Sequence, residues 1–335
     1  MIFKVGIDLG TANTNVYLPN KGVVITEPTV VAYDEISQEI IAVGKEAKEM
    51  IGKTPREIKI YRPLKEGVIA DYKATLAILR YFLNKLKITK FFKPILVISV
   101  PAGITSTEKR AIIDAALEAG AREVYPIKEP LLAALGAELP IQSPLGNMIV
   151  NIGGGTTEIA VISLGGIVSF ESLKIAGDKM DESIKEYLRR KFNLAIGEKT
   201  AEKIKIDIGS ALLKNKNTNL SMEVNGIDLI TGLPKQVKIF SINVAEALQK
   251  ELKEIINAIK RVLSKTLPEL VADIMENGIN LSGGGALLKD LDILISEEIG
   301  IEVKIVDDPL YAVARGTGKV LEKIDLYSKL IHGHI

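Results

Sequence analysis

The stretch MIVNIGGGTTEIAVIS, residues 148–163, decides the fold of this chain. An apolar run leads into three consecutive glycines, and a second apolar run comes closely after them. The pattern predicts a β-hairpin whose turn exposes backbone N–H groups, because residues without a side chain let another group approach the backbone. Asn151, just before the turn, is an amide where a site for phosphate and metal is expected to carry a carboxylate. A lone GGG is more often a plain tight turn, so this stretch by itself assigns no function.

The segment KVGIDLGTANTNVYL, residues 4–18, has the same pattern near the start of the chain. When Asp8 is placed on Asn151, Gly10 falls on Gly153, and the offset is 143 residues. Each segment consists of an apolar strand, a turn of glycine and threonine, and a second strand. The repeat predicts two related α/β halves, each able to bury its own core.

A third glycine turn, SGGG at residues 282–285, comes after an apolar strand and precedes an amphipathic helix. A helix N-terminus with bare glycines suits a phosphate or a flat ring laid against the backbone, although a tight turn explains this segment equally well. Three such turns in a duplicated chain favour a polyphosphate clasped between the halves. Hydroxyl groups such as those of Thr11 and Thr156 would add donors, and Asp8 would orient the water around Mg²⁺.

The composition argues against several other classes. The 335 residues include 43 basic and 42 acidic side chains, so the net charge does not favour nucleic acid. The sequence has no cysteine, no P-loop and no G-x-G-x-x-G opening a helix, and its two histidines, His332 and His334, are expected in a C-terminal tail. It has no signal-peptide pattern and no apolar run long enough to span a bilayer. We therefore expect a cytoplasmic location, with attachment to a membrane surface left open.

The motifs resemble those of the actin-like ATPase superfamily. IDLGTANT matches its first phosphate motif, NIGGGTTE the second, KEPLLAALG the connecting helix and LSGGGALL the adenosine motif. Segments such as YRPLKEGVIADY, VPAGIT and GIDLITGLP are similar, in order and spacing, to the MreB family of bacterial actins. The resemblance implies an α/β fold with a duplicated ribonuclease-H-like core, in two lobes that each carry a peripheral subdomain. The implied boundaries are 1–31, 76–141 and 312–335 for subdomain IA, 32–75 for IB, 142–176 and 250–311 for IIA, and 177–249 for IIB.

The resemblance also implies a site for ATP or ADP with Mg²⁺. The first phosphate loop would comprise Asp8, which would contact Mg²⁺ through water, and Gly10, Thr11, Ala12 and Asn13. The second would comprise Gly153, Gly154, Gly155 and Thr156. The nucleoside would meet Glu202 and Lys205, and the adenosine and α-phosphate would lie along Gly283, Gly284, Gly285 and Ala286. Without the resemblance, Glu202 and Lys205 are better explained as an exposed ion pair on one helix face.

Glu129 matches the family's hydrolytic glutamate, which would orient and partly deprotonate the water that attacks the γ-phosphate. It also suits the first turn of a helix that has Pro130 at its start, and both explanations can hold together. Thr156 would hydrogen-bond the same water. Asn151 departs from the family's usual aspartate, since an amide keeps the size and one acceptor but loses the charge. We therefore expect nucleotide to bind and hydrolysis to be slow.

Phe91 and Phe92 are adjacent, and Lys90 and Lys93 bracket them. From the residues alone, packing at the start of the next strand is favoured. The resemblance instead implies a hydrophobic loop that contacts an anionic membrane, where apolar burial and Coulomb attraction act together. Such binding is expected to be weak for a monomer and firm for a filament, because a filament presents many loops at once.

The function implied by the resemblance is a cytoskeletal ATPase. Its filaments, expected to be paired protofilaments, would lie on the inner face of the cytoplasmic membrane and guide membrane proteins of cell-wall synthesis, which sets rod shape. A plasmid-partitioning actin-like ATPase is the nearest alternative, and it would not need the loop at Phe91 and Phe92. A chaperone ATPase is expected to have a peptide-binding domain after AVARGTGKVLEKI, and a small-molecule kinase needs an acceptor pocket for which the sequence gives no signal.

Overall fold

The computed structural model describes residues 3–65, 67–87, 93–213, 220–324 and 327. Its strands are β1 (Lys4–Leu9), β2 (Asn13–Leu18), β3 (Gly22–Pro28), β4 (Val31–Asp34), β5 (Glu39–Val43), β6 (Ile58–Tyr61), β7 (Leu64–Lys65), β8 (Val68–Ile69), β9 (Ile95–Val100), β10 (Glu123–Lys128), β11 (Asn147–Ile152), β12 (Thr157–Ser163), β13 (Gly166–Leu173), β14 (Leu194–Ala195), β15 (Ser221–Asp228), β16 (Pro234–Phe240), β17 (Ile279–Ser282) and β18 (Val303–Ile305). Its α-helices are α1 (Lys45–Met50), α2 (Tyr72–Lys85), α3 (Ser106–Glu118), α4 (Glu129–Gly136), α5 (Gly177–Phe192), α6 (Glu198–Ile208), α7 (Ser241–Ser264), α8 (Pro268–Asn277), α9 (Leu291–Ile299) and α10 (Ala312–Glu322). Short 3₁₀ helices span Gly284–Leu287 and Pro309–Tyr311.

Two five-stranded sheets have the same topology. Their strand orders are β10-β9-β1-β2-β3 and β13-β12-β11-β17-β18, the second written from the opposite edge. In each sheet three consecutive strands form an antiparallel meander, and two later strands join in parallel beside the first of them. β1 and β11 both begin and end 143 residues apart in the sequence. The prediction of a duplicated α/β chain is therefore confirmed.

Each lobe carries a smaller sheet at its periphery. In the first lobe β5, β4 and β6 form a three-stranded sheet with α1 beside it, and in the second lobe β14, β15 and β16 form another beside α6. These elements overlap the segments 32–75 and 177–249, which we keep as the proposed peripheral subdomains. At the end of the hairpin of β15 and β16, four large apolar side chains are exposed: Ile227, Leu229, Ile230 and Leu233.

α4 and α10 join the two lobes. Side chains of α4 share one buried core with β11 and β12 of the second lobe, with Val97 of the first and with α10. All eight residues of α4 are buried. The two helices cross so closely that a Cβ added to Gly136 would overlap the carbonyl of Ala312, and one added to Gly316 would overlap that of Leu132. This crossing fixes the start of α4, and with it Glu129, at the base of the space between the lobes.

Within the described part of the chain, no helix combines the length and the apolar character needed to cross a bilayer.

Candidate functional site

The first two glycine turns lie against each other between the lobes. A Cβ added to Gly154 would overlap the Cβ of Ala12, and one added to Gly155 would lie 2.7 Å from Oγ1 of Thr11. The same Thr11 oxygen accepts a hydrogen bond from the backbone N–H of Gly67 at 3.2 Å. The turns therefore tolerate no side chain at these positions, and their backbones face one small space from opposite lobes.

The third turn packs on the end of β11, beside the second. Gly283 has a φ of +82°, and a Cβ there would overlap the carbonyl oxygen of Ile152, so the position requires glycine. The prediction of an α-helix N-terminus directly after this turn is wrong. Gly284–Leu287 forms a 3₁₀ helix, and α9 begins only at Leu291, because the chain first passes Asp290 in a left-handed conformation. Ala286 is fully buried within this segment.

Asp8 and Asn151 occupy equivalent positions in the two sheets. Ser99 donates a hydrogen bond to Oδ1 of Asp8 at 3.1 Å, and Ser282 donates one to Oδ1 of Asn151 at 3.1 Å. Both serines lie on the parallel strand next to the residue that they contact. The duplicated halves thus build the same contact, and an amide at position 151 keeps the acceptor that this contact needs. Burial raises the pKa of Asp8 to about 6, against the hydrogen bonds from Asn15 and Ser99.

In each half, the hairpin pairs one carboxyl residue with one amide residue, but the strand that carries the carboxyl differs between the halves. Asp8 on β1 lies opposite Asn15 on β2, and Asn151 on β11 lies opposite Glu158 on β12. Asn15 donates a hydrogen bond from Nδ2 to Oδ2 of Asp8 at 3.0 Å. Each pair therefore holds one carboxyl and one amide, in opposite order. Asn151 thus has a carboxyl, that of Glu158, directly across the hairpin.

Glu129 is the first residue of α4, and its side chain is buried. Burial raises its pKa well above the ordinary value, and the charges of Glu158 and Asp8 raise it further. Pro130 comes next within the first turn, as a helix start favours. A carboxyl group with a raised pKa is a stronger base once deprotonated, which is the property that proton abstraction from water requires.

Thr156 completes the second turn. Its carbonyl accepts a hydrogen bond from the backbone N–H of Gly153 at 2.9 Å, which closes the turn, and its side chain is buried. A Cβ added to Gly67 would lie 3.3 Å from Cγ2 of Thr156, so the segment after β7 covers this side chain from the first lobe. In the first turn, the carbonyls of Gly10 and Ala12 are held by the side-chain hydroxyl and backbone N–H of Thr29, and Asn13 begins β2.

Glu202 and Lys205 lie on α6, but they do not pair with each other. Nζ of Lys205 lies 2.9 Å from Oδ1 of Asp181 and donates a hydrogen bond to the carbonyl of Gly177 at 2.8 Å. Glu202 pairs at 2.8 Å with Nζ of Lys48, which belongs to α1 of the first lobe. The ion pair expected from the sequence alone is therefore wrong, because each side chain has a partner on another element.

Ion pairs join the lobes above the turns. Nη1 of Arg62 lies 2.7 Å from Oδ1 of Asp178, and Nη2 lies 3.1 Å from Oε1 of Glu198. An open cavity of about 690 Å³ is lined by these three side chains and by Thr11 and Gly155 of the turns. The cavity is thus bounded by both lobes.

These groups fit a nucleotide carried with Mg²⁺. The glycine positions form cradles that a Cβ would fill, and turns of this kind aim backbone N–H groups at anions. Asp8 is a buried carboxyl that a divalent cation would favour in its charged form. Among the described residues, no group of three or more acidic or histidine side chains is arranged to hold a metal ion directly. Contact of Asp8 with Mg²⁺ through water remains our proposal.

Most residues of the predicted membrane-contacting loop lie outside the part of the chain that the structure describes. Phe91, Phe92 and Lys90 are not among them, while Lys93 is described and exposed. His332 and His334 also lie outside. Glu158 is a buried acidic residue that the sequence did not lead us to single out. The available signal was its alignment with Asn15 at the same offset that places Asp8 on Asn151.

Two lobes built on one repeated sheet, joined by α4 and α10, with glycine turns meeting between them, define the actin-like ATPase fold. A solved structure with this fold is MreB5 of Spiroplasma citri bound to AMPPNP, which has a TM-score of 0.93 and 39% sequence identity and covers 98% of both chains. The MamK double helical filament has a TM-score of 0.82 at 23% identity and supports the fold alone.

The chain belongs to the MreB/Mbl family, whose model, described as MreB/Mbl protein, matches residues 3–329. Cell shape-determining protein MreB of Haemophilus influenzae is 49% identical over 327 residues, which are 96% of this chain and 93% of that protein. Cell shape-determining protein Mbl of Bacillus cereus is 48% identical over 326 residues, 97% of each chain.

Proposed function

We propose that this chain is a cytoskeletal ATPase that binds ATP between its lobes, hydrolyses it slowly and assembles into filaments. The observation that carries the proposal is the meeting of two glycine turns, one from each duplicated lobe, at one cavity, with the third turn packed beside the second on Ile152. It is supported by MreB5 of Spiroplasma citri, which was solved with AMPPNP and with ADP. The names of the two relatives, cell shape-determining proteins MreB and Mbl, support a role in cell shape, which we propose to be rod shape.

In this proposal the phosphates are held by the backbone N–H groups of the first two turns, and the adenosine lies along residues 283–286. Glu202 and Lys205 contact the nucleoside after releasing Lys48 and Asp181, their partners in the structure. Mg²⁺ bound with the nucleotide would supply positive charge at the phosphates, near Asp8. Exchange of ion-pair partners on α6 then links nucleotide binding to the relative position of the lobes.

Glu129 would accept a proton from the attacking water, and Thr156 would orient that water through its hydroxyl. The raised pKa of Glu129 favours this role, because the carboxylate gains more by taking up the proton. Asn151 supplies an acceptor but no negative charge at the position equivalent to Asp8. We therefore infer slow turnover with nucleotide binding retained.

Assembly and location are also proposals. Self-association into paired protofilaments is our proposal; MamK, which shares the fold at 23% identity, was solved as a double helical filament. We propose a cytoplasmic location with peripheral attachment to the inner membrane surface, where filaments would meet membrane proteins of cell-wall synthesis. Phe91 and Phe92, flanked by Lys90 and Lys93, are the proposed contact with that surface.

Pelleting separates the proposal from its alternatives. The purified chain is incubated with Mg²⁺ and ATP, ADP or no nucleotide, with and without anionic vesicles, and centrifuged. We expect ATP-dependent pelleting that increases with vesicles, and calorimetry should detect ATP binding to the monomer. A chain that binds ATP but stays in the supernatant under every condition contradicts the filament function, and one that binds no ATP contradicts the whole proposal.

The membrane contact has its own test. In the double substitution Phe91→Ser/Phe92→Ser we expect loss of co-sedimentation with anionic vesicles, since two aromatic side chains supply the apolar burial. ATP-dependent pelleting without vesicles should stay unchanged. Equal vesicle binding by the substituted and unmodified chains would rule out this loop as the anchor.

A further inference from the structure

Glu158 lies on β12, two residues after Thr156 of the second glycine turn, and its side chain is completely buried. A buried carboxylate is costly unless hydrogen bonds and nearby charge compensate for the lost water. The contacts that compensate Glu158 come from both lobes.

Oε2 of Glu158 accepts a hydrogen bond from the backbone N–H of Ala102 at 3.1 Å. Ala102 lies in the loop after β9, which belongs to the sheet of the first lobe. Oε1 accepts one from the hydroxyl of Ser172 on β13 of the second lobe at 2.5 Å. One carboxylate therefore ties a loop of one lobe to two strands of the other, at the base of the cleft.

The loop that Glu158 contacts is next to the start of α4, because Lys128, the residue before Glu129, pairs with Val100 on β9, two residues before Ala102. The groups whose charges bear on these two glutamates are Asp8 on β1 and Lys128 at the end of β10. After burial itself, the charge of Glu158 is the largest cause of the raised pKa of Glu129, ahead of Asp8. Burial raises the pKa of Glu158 itself, while the hydrogen bonds from Ser172 and Ala102 and the charge of Lys128 favour its charged form. Nζ of Lys128 also lies 5.6 Å from the ring centre of Phe170 on β13.

We propose that Glu158 is a positioning residue for hydrolysis: its carboxylate braces the loop at Ala102 against β12 and β13 and presents negative charge to Glu129. The proposal rests on the proposed ATPase function and deepens it. The brace keeps the lobes in register at the reacting end of the cleft. The charge makes Glu129 a stronger base for the attacking water. The carboxylate of Glu158 also places negative charge on the side of the site where Asn151 is neutral.

The substitution Glu158→Gln separates the brace from the charge. The amide oxygen of glutamine can accept from Ala102, and its NH₂ group can donate to the hydroxyl of Ser172, so the contacts are retained while the charge is removed. The matched control is Glu251→Gln, which removes a buried carboxylate from α7 of the second lobe. Single-turnover hydrolysis of ATP is measured from pH 5 to pH 9 for the three proteins, with ATP affinity measured on each.

For Glu158→Gln we expect ATP affinity within about threefold of the unmodified chain and a roughly tenfold lower maximal rate. We also expect the acid limb of the pH–rate profile to move to lower pH, because the pKa of Glu129 falls when its neighbour is neutral. Glu251→Gln should leave the maximal rate and the pH–rate profile unchanged. Its profile then shows how much of the pH dependence comes from ionisation of ATP itself.

If glutamine restores both the rate and the pH profile of the unmodified chain, Glu158 is only a structural brace and the inference is overturned. Loss of ATP affinity in Glu158→Gln overturns it as well, since the residue would then act on binding. These outcomes leave the proposed function standing, provided that the unmodified chain hydrolyses ATP. An unmodified chain with no turnover overturns the proposed function and this inference with it.

Discussion

Asp8, Glu129 and Glu158 are three carboxyl groups buried at the base of one cleft, and burial is the largest cause of the raised pKa of each. Groups in such an environment cost stability when they ionise, because the charged form loses water that the protein replaces only in part. A bound cation would offset that cost. The stability of the nucleotide-free protein should therefore depend on pH, because ionising these groups lowers it.

Asp8 should lower the stability of the nucleotide-free protein as pH rises. Its pKa in the folded protein, about 6, is above the ordinary value of 3.8, so the folded state binds more protons between these values. Stability of the nucleotide-free protein should thus fall as pH rises from about 4 through 6 and stay lower above that. We expect Asp8→Asn to raise the free energy of unfolding by about 1–3 kcal/mol at pH 8 and to have little effect at pH 4.

Urea unfolding at the two pH values measures this effect. Asp114→Asn, an exposed change on α3, serves as the control and should alter stability little at either pH. A destabilising effect of Asp8→Asn at pH 8 would mean that the hydrogen bonds from Asn15 and Ser99 outweigh burial. The same variant should lose most of the stabilisation that the unmodified chain gains from Mg²⁺ with ATP.

Asn151 gives a second prediction at this scale. Asn151→Asp keeps the acceptor for Ser282 and adds a charge at the position equivalent to Asp8. We expect hydrolysis to rise by roughly ten- to a hundredfold, the size of effect that groups around a metal site commonly have. Phosphate release from single-turnover assays measures it. Equal rates for the two chains would show that the amide does not limit turnover.

At the scale of elements, the contact between the first two turns should be sensitive to one methyl group. Gly154→Ala places a Cβ where Ala12 already lies, so we expect a loss of about 1–3 kcal/mol in stability and much weaker ATP binding. Gly197→Ala is the matched control, because a Cβ there meets no atom within 4 Å. Thermal unfolding and calorimetry should distinguish the two. If Gly154→Ala binds ATP as tightly as the control, the turns do not need their close approach.

The sequence predicted the repeated elements well, because strands and turns are encoded locally. The offset between Asp8 and Asn151 carried over to the bounds of β1 and β11 without shift. The 3₁₀ segment after Gly283 was not predicted, since its form depends on packing against Ile152. Glycine spacing alone does not distinguish it from the start of an α-helix.

Contacts between distant segments were the part that the sequence could not supply. Glu158 accepts a hydrogen bond from Ala102, which is 56 residues away in the sequence and becomes its neighbour only in the folded protein. Lys48 and Glu202 are 154 residues apart, and nothing near either residue indicates the pair. The nucleoside-contacting role of Glu202 came from family resemblance and stays a prediction, as does the role of Asp8 in orienting water around Mg²⁺.

At the scale of the whole molecule, the exposed end of the hairpin of β15 and β16 is a surface suited to assembly. Oδ1 of Asp228 accepts hydrogen bonds from the backbone N–H groups of Ile230 and Thr231, which holds the turn in one conformation. Ile230 is 78% exposed there, among other large apolar side chains. Clusters of this kind commonly mark contacts between proteins.

We therefore expect Ile230→Asp to reduce ATP-dependent pelleting at least several-fold while ATP binding by the monomer stays the same. Leu164→Asp is the control: Leu164 is 66% exposed in the turn between β12 and β13, with a φ of +50° that aspartate accepts readily. Sedimentation over a range of protein concentrations gives the critical concentration of each variant. A critical concentration for Ile230→Asp equal to that of the control would exclude this hairpin from the filament contact.

The crossing of α4 and α10 limits how the lobes can move. At Gly136 and Gly316 the two backbones touch without intervening side chains, so sliding one helix along the other would drive neighbouring residues into the opposite carbonyls. The motion that this contact still permits is rotation of one lobe relative to the other about the crossing point. A rotation of a few degrees at this contact would displace the parts of the lobes far from it by ångströms. Arg62 of the first lobe and Asp178 of the second, which form an ion pair, lie in those parts. In the proposed function, rotation at these two glycines would carry the effect of nucleotide binding to the ion pair of Arg62 and Asp178.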